Sequence, residues 1–157
     1  MTHRRVLYTT AFMLGAVLLG VGSVGAESTF QKSQMYVVEG KKMMLRNVTL
    51  TFNDSALLIR PAGKATFAER TIPYTRVKNA VYEFSSERRW GAAVIVSPLF
   101  LLSKSKKHWF TLVCKAEKEA DAEEEVVFRL DKSNYANILD TFEKSSGTKI
   151  RMEASKD

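Results

Sequence analysis

The sequence predicts an α+β fold, a strongly bent antiparallel sheet or partly open barrel closed by one C-terminal helix, and three observations carry that expectation. Short runs of alternating apolar and polar residues recur between Tyr36 and Leu130, the period of half-buried strands. Turn-forming clusters separate them at close spacing, NDS at 53–55 and PAGKA at 61–65 among them, which favours a meander over helical crossovers. The period then changes once: Tyr135, Ile138, Leu139 and Phe142 fall at i, i+3, i+4 and i+7, the stripe of an amphipathic helix. A sheet and a helix that each carry one apolar face bury them best against one another.

The chain opens with MTHRR and then 16 uncharged residues from Val6 to Val21, closing on small residues with Val24 and Ala26 at the minus-three and minus-one positions of a cleavage site before Glu27. This is the organisation of an export signal over residues 1–26. The competing reading is an uncleaved anchor, but 16 residues at about 1.5 Å each reach about 24 Å, short of a hydrocarbon core of about 30 Å. No cysteine follows the apolar run to accept a lipid. Residues 27–40, beginning ESTFQKSQM, hold few apolar anchors and read as a leader that joins the sheet at its end.

The strands follow in order. Val48, Leu50 and Phe52 alternate with Asn47, Thr49 and Thr51. SALLIR is a second run, and FAERTIPY a third in which Pro73 belongs at an edge or an end, since it donates no ladder bond. VKNAVYEFS is a fourth. In KKHWFTLVCK, His108, Phe110, Leu112 and Cys114 share one face and Trp109, Thr111 and Val113 the other, and both faces read as covered. The acidic stretch AEKEADAEEE reads as a solvated hairpin tip leading into VVFRL. Asp131 or Ser133 can cap the helix start and Gly147 its end. The domain expectation is therefore 41–153, with a short tail at 154–157.

Composition narrows the chemistry. With 157 residues, 45% hydrophobic and 26% charged, the chain suits one globular domain. A single cysteine, Cys114, cannot form an intrachain disulfide, and with only His3 and His108 beside it no closed Cys/His zinc site can be built. His108 and Cys114, six residues apart on one strand, would lie about 20 Å apart, too far for a catalytic pair. The acidic stretch lacks the glycine and alternating acids of a calcium loop. No nucleophile-elbow, phosphate-loop, dinucleotide or zincin motif occurs. The expectation is a protein without catalytic residues, metal or cofactor. Loss of residues 1–26 removes Arg4 and Arg5 and no acid, lowering the net charge from +7 to +5. That balance draws the chain weakly to anionic membrane surfaces, and nucleic acid is not expected as a partner outside the cytoplasm.

TLTFNDSALLIR, TIPYTRVKNAVYEFS, KKHWFTLVCK and VVFRLDKSNYANILDTFEKSSG together resemble a pleckstrin-homology-like or GRAM-like domain over about residues 41–150. The IPYTRVKNAVYE segment and the helix after FRLD carry the likeness, and the KKHW start of a strand is similar to that of small exported bacterial proteins. The resemblance implies a binding module. Lys41, Lys42 and Arg46 do not have the spacing of the basic pocket that phosphoinositide-binding members carry between their first two strands.

One segment stands outside this scheme. Residues 90–102 hold no charge and are bracketed by Arg88 and Arg89 before and Lys104, Lys106 and Lys107 after. Thirteen residues cannot span a bilayer as a helix. They can enter one interface as a hairpin turning at Ser97 and Pro98, with Val94, Ile95, Leu99, Phe100 and Leu101 in the acyl boundary, Trp90 and Trp109 at headgroup level, and the cations on lipid phosphates, each worth about 1 kcal/mol. Alternatively the same segment is buried against the open side of the sheet or against a partner chain. The functional expectation is an exported, periplasmic or extracellular, binding module at a membrane surface, with a soluble protein-interaction module as the alternative. The oligomeric state is left open.

Overall fold

The structure, a computed structural model, describes residues 27–65, 67–85, 106–117 and 122–153. The expected signal segment at 1–26, the apolar insertion at 90–102 with its flanking Arg88, Arg89 and Lys104, and the tail at 154–157 lie outside these residues.

The described elements are β1 (Ser28–Glu39), β2 (Lys42–Phe52), β3 (Ala56–Pro61), β4 (Arg70–Pro73), a 3₁₀ turn (Tyr74–Arg76), β5 (Val77–Ser85), β6 (Lys107–Lys115), β7 (Glu123–Leu130), α1 (Tyr135–Ser146) and β8 (Ile150–Glu153). The strands form one sheet in the order β4-β3-β2-β1-β7-β6-β5-β8. The first four make one antiparallel meander and β5 to β7 a second. A short joint couples the two, where Gln34 faces Arg129 and Met35 faces Phe128. The order is linear with β4 and β8 at its edges, so the sheet bends strongly around its core without closing.

Local chemistry explains the corners. Asn53 Oδ1 accepts hydrogen bonds from the backbone N–H groups of Ser55 and Ala56 at 2.9 and 2.7 Å, an Asx turn that folds β2 back onto β3. Pro73 ends the edge strand β4, as its missing N–H requires. The 3₁₀ turn behind it, tied by the Tyr74 N–H to the Ser55 carbonyl at 2.9 Å, redirects the chain into the second meander. Gly147 holds φ 68°, a left-handed conformation that ends α1 with its N–H on the Glu143 carbonyl.

The core lies between the bent sheet and α1. Phe52, Phe110 and Phe128 from the strands and Ile138 and Phe142 from the helix are fully buried in it. Phe142 meets the edges of Phe110 and Tyr74 at centroid distances of 5.2 and 6.2 Å. Burial of side chains of this size stabilises the fold by about 1.5–3 kcal/mol each.

Three expectations are corrected. Residues 27–40 are not a leader: β1 occupies most of them and pairs with β2 along its length, from Ser28 opposite Phe52 to Glu39 opposite Lys42. A bulge between Phe30 and Ser33 carries one extra residue, so Phe30 faces the core from an even position while Met35 and Val37 face it from odd ones. A strict two-residue period fails across that point. The helix start is not capped by Asp131 or Ser133: the Asp131 carboxylate accepts from the Ser133 N–H and hydroxyl one turn earlier, at 2.9 and 2.6 Å, and Asn134 stands at the cap position without a side-chain capping bond. The acidic stretch is only in part a hairpin tip. Glu123, Glu124 and Glu125 belong to β7, where Glu123 pairs with Lys78 and Glu124 with Arg70.

Candidate functional site

The described residues build a basic groove of about 980 Å³ where four parts of the chain converge: the β1 bulge, the middle of β2, the start of β6 and the turn from β7 into α1. Its walls carry Lys32, Lys106, Lys107, Arg129 and Lys132, against one carboxylate, Asp131. Cross-strand register creates this grouping. On the outer face of the sheet Asn47, Gln34, Arg129 and Trp109 lie side by side on β2, β1, β7 and β6, and Gln34 Nε2 donates to Asn47 Oδ1 at 2.9 Å. The bulge adds Lys32, which holds φ 62°, a left-handed conformation that a lysine adopts only under constraint.

Positive charge dominates the groove. Elsewhere on the surface several basic residues meet carboxylates, as Arg46 does Glu39, Arg60 Glu69, and Lys78 Glu123. Lys32, Lys107, Arg129 and Lys132 have no such ion pair among the described residues. Asp131 offsets one of these charges while accepting hydrogen bonds from Ser133, so the wall keeps a positive excess. The Ser133 hydroxyl and N–H, with Lys32 and Lys132 adding a weaker pull, hold its carboxyl below the usual range.

His108, which also lines the groove, is enclosed by rings. It stacks on Tyr135 at 3.9 Å and lies 4.7 Å from Phe84, while its Nδ1 meets the Tyr82 hydroxyl at 2.7 Å. Burial lowers its pKa, against the raising effect of Asp131. Cys114, at the other end of β6, is 1% exposed in the core, and burial raises its thiol pKa. The two are separate structural residues. No cluster of three or more metal-ligating side chains occurs among the described residues.

Of the residues expected at a contact surface, Lys106 and Lys107 line the groove. Trp109 is 6% exposed, its ring stacked on Tyr36 at 6.0 Å, so it is packed rather than displayed. Arg88, Arg89, Trp90, Val94, Ile95, Leu99, Phe100, Leu101 and Lys104 lie outside the described residues. Lys32, Arg129 and Lys132 were not expected at a site. They come from distant stretches of sequence, and only the β1–β7 register and the bulge bring them together.

No protein-family model matches the chain, and a search of curated proteins finds no match. Among solved structures the chain is similar to one in the Spt16D Pob3N heterodimer, with a TM-score of 0.51 and 10% identity over 83% of this chain. It spans about half of that structure's chain, 56%. The solution structure of the N-terminal PH domain of the human ARAP2 protein aligns with 88% of this chain and 97% of its own at 16% identity, with a TM-score of 0.42 too low to add weight. Two meanders forming one bent, open sheet, with α1 laid on its core after the last meander strand, give this chain a pleckstrin-homology-like fold.

Proposed function

We propose that the chain is a non-enzymatic, exported binding module that works at a membrane surface of the cell envelope. The fold belongs to a class of binding modules. The observation that carries the finer reading is that Lys106 and Lys107, the cations following the uncharged stretch 90–102, open onto the basic groove with Lys32, Arg129 and Lys132. An apolar segment next to a basic wall suits an anionic bilayer: the segment enters the acyl boundary and the cations meet the phosphates.

A second reading, a protein-interaction module whose residues 91–102 are buried, is favoured by a different observation. Thr111 and Val127, next to the Tyr36–Trp109 stack, are buried although they face away from the main core. An apolar segment against that face would account for it.

Leu99→Asp separates the two. At a lipid-facing position the charge leaves folding stability nearly unchanged and abolishes flotation with vesicles containing anionic lipid. In a buried segment it strands a charge in apolar surroundings, and the melting temperature falls by many degrees. A destabilised variant together with a wild-type chain that ignores vesicles would sink the membrane reading.

A further inference from the structure

We infer that the groove between the β1 bulge and the β7–α1 turn is a binding site for a phosphate-bearing anion. The inference goes beyond the membrane reading, because a soluble phosphate would satisfy the same groove.

Three observations point to it. Lys32, Lys107, Arg129 and Lys132 converge on one concavity without a carboxylate partner among the described residues, on a chain whose other arginines and lysines are often paired. Like charges gathered at one place repel one another, and a bound anion relieves that repulsion. The single acid of the wall, Asp131, keeps its charge and offsets one of the cations, which outnumber it and leave the groove a positive excess. Lys32 reaches the groove only because a non-glycine residue is kept at φ 62° in a bulge whose register leaves Gln31 and Lys32 without a partner in the β1–β2 ladder. Strain of this kind clusters where a side chain must be aimed.

The chemistry selects phosphate. Arg129 offers a planar fork that matches two phosphoryl oxygens, and three lysines offer compact charges that take up the remainder. A multiply charged phosphoryl group neutralises more of this wall than one carboxylate can. The turn between β1 and β2, with Lys41 and Lys42, contributes nothing to the groove. The ligand is either a phospholipid headgroup or a free phosphate.

The test uses the chain as isolated from the cell that expresses it. Two probes are titrated: pyrophosphate, by calorimetry, and vesicles of phosphatidylglycerol in phosphatidylcholine, by co-sedimentation, with pure phosphatidylcholine as the blank. Lys32→Asn with Lys132→Gln removes two groove charges while leaving a residue that tolerates positive φ at the bulge, and Lys107→Gln with Arg129→Gln provides an independent pair. Each pair should weaken binding by about tenfold or more. Lys144→Gln with Lys149→Gln on and after α1 removes the same charge away from the groove and should change binding less than about twofold at moderate salt. Pyrophosphate binding with this pattern identifies a soluble phosphate as sufficient, and vesicle binding alone with this pattern identifies the headgroup. Equal losses in groove and control variants, or no binding of either probe, would overturn the inference. Vesicle binding that survives both groove pairs would overturn it as well while leaving the membrane reading in place.

Discussion

Phe142→Ala tests whether α1 closes the sheet. The ring is 0% exposed and meets the edges of Phe110 and Tyr74 at 5.2 and 6.2 Å, so truncation removes both edge contacts and opens a void between helix and strands. Truncations of buried phenylalanine cost about 3–5 kcal/mol. The intrinsic helix preference of alanine offsets only about 0.5 kcal/mol of that. For a domain of this size the loss corresponds to a melting temperature lowered by about 10–15 °C. In urea it corresponds to a midpoint lowered by about 2 M, taking a slope of about 2 kcal/mol/M. Phe142→Leu fills most of the void and should cost less than about 2 kcal/mol. Lys144→Ala, which breaks only the exposed pair with Asp140, should stay within about 0.5 kcal/mol of the wild type. The assay is equilibrium urea unfolding followed by far-UV circular dichroism. A Phe142→Ala variant within about 1 kcal/mol of the Lys144→Ala control would refute the plug, since a sheet that barely notices the loss of this ring does not depend on the helix for its core.

Further outcomes follow from single residues. Because burial lowers the folded pKa of His108, the unfolded chain takes up its proton first as pH falls below about 6.5; stability is then full above that pH and declines below it, and His108→Gln should flatten the urea midpoint between pH 7.5 and 5.5. Burial pushes the Tyr74 hydroxyl up to about 12 from its ordinary value of 10, so the unfolded chain ionises first and stability falls between those values; the tyrosine absorbance at 295 nm should show one group titrating late, absent in Tyr74→Phe. Cys114 should resist a thiol reagent in the native protein and react on unfolding, and fast labelling in buffer would show that the core end of β6 opens readily. Gly147→Ala should cost about 1 kcal/mol from the left-handed backbone alone, because nothing lies within 4 Å of the added methyl group, and an unchanged urea midpoint would contradict that conformation.

Much of the fold was legible because its signals are local. The fourth run, VKNAVYEFS, matches β5 from Val77 to Ser85, and the stripe of Ile138, Leu139 and Phe142 names the three residues that α1 buries. Pro73 marked the end of an edge strand for a reason internal to one residue. What escaped the sequence depends on pairing. β8 has only four residues, Ile150–Glu153, and its parallel partner β5 lies some 70 residues earlier, so no local period announces it. The role of Trp109 was readable two ways: its alternation with Phe110 placed it on a covered outer face, while its nearness to basic residues suggested a headgroup position. The burial under Tyr36 follows the alternation.

The residues of the groove were hidden by the same feature that hid β1. A strand without a bulge would have kept Phe30, Lys32, Gln34 and Tyr36 on one face and shown a clean two-residue period. It would also have exposed Phe30 or buried Lys32, since both would point the same way. The extra residue between Phe30 and Ser33 resolves that conflict by letting the phase change once. Phe30 stays against the core with its ring edge-on to Phe52 at 5.7 Å, Met35 and Val37 regain the inward face, and Lys32 is released at positive φ toward Arg129 and Lys132. The energetic cost of one strained lysine is about 1 kcal/mol, small beside the apolar surface that the two halves of β1 bury on either side of it. A one-residue irregularity thus reconciles the packing of the first meander with the assembly of a basic wall. Deleting Gln31 or Lys32 should disturb both together, whereas Lys32→Asn should disturb only the second.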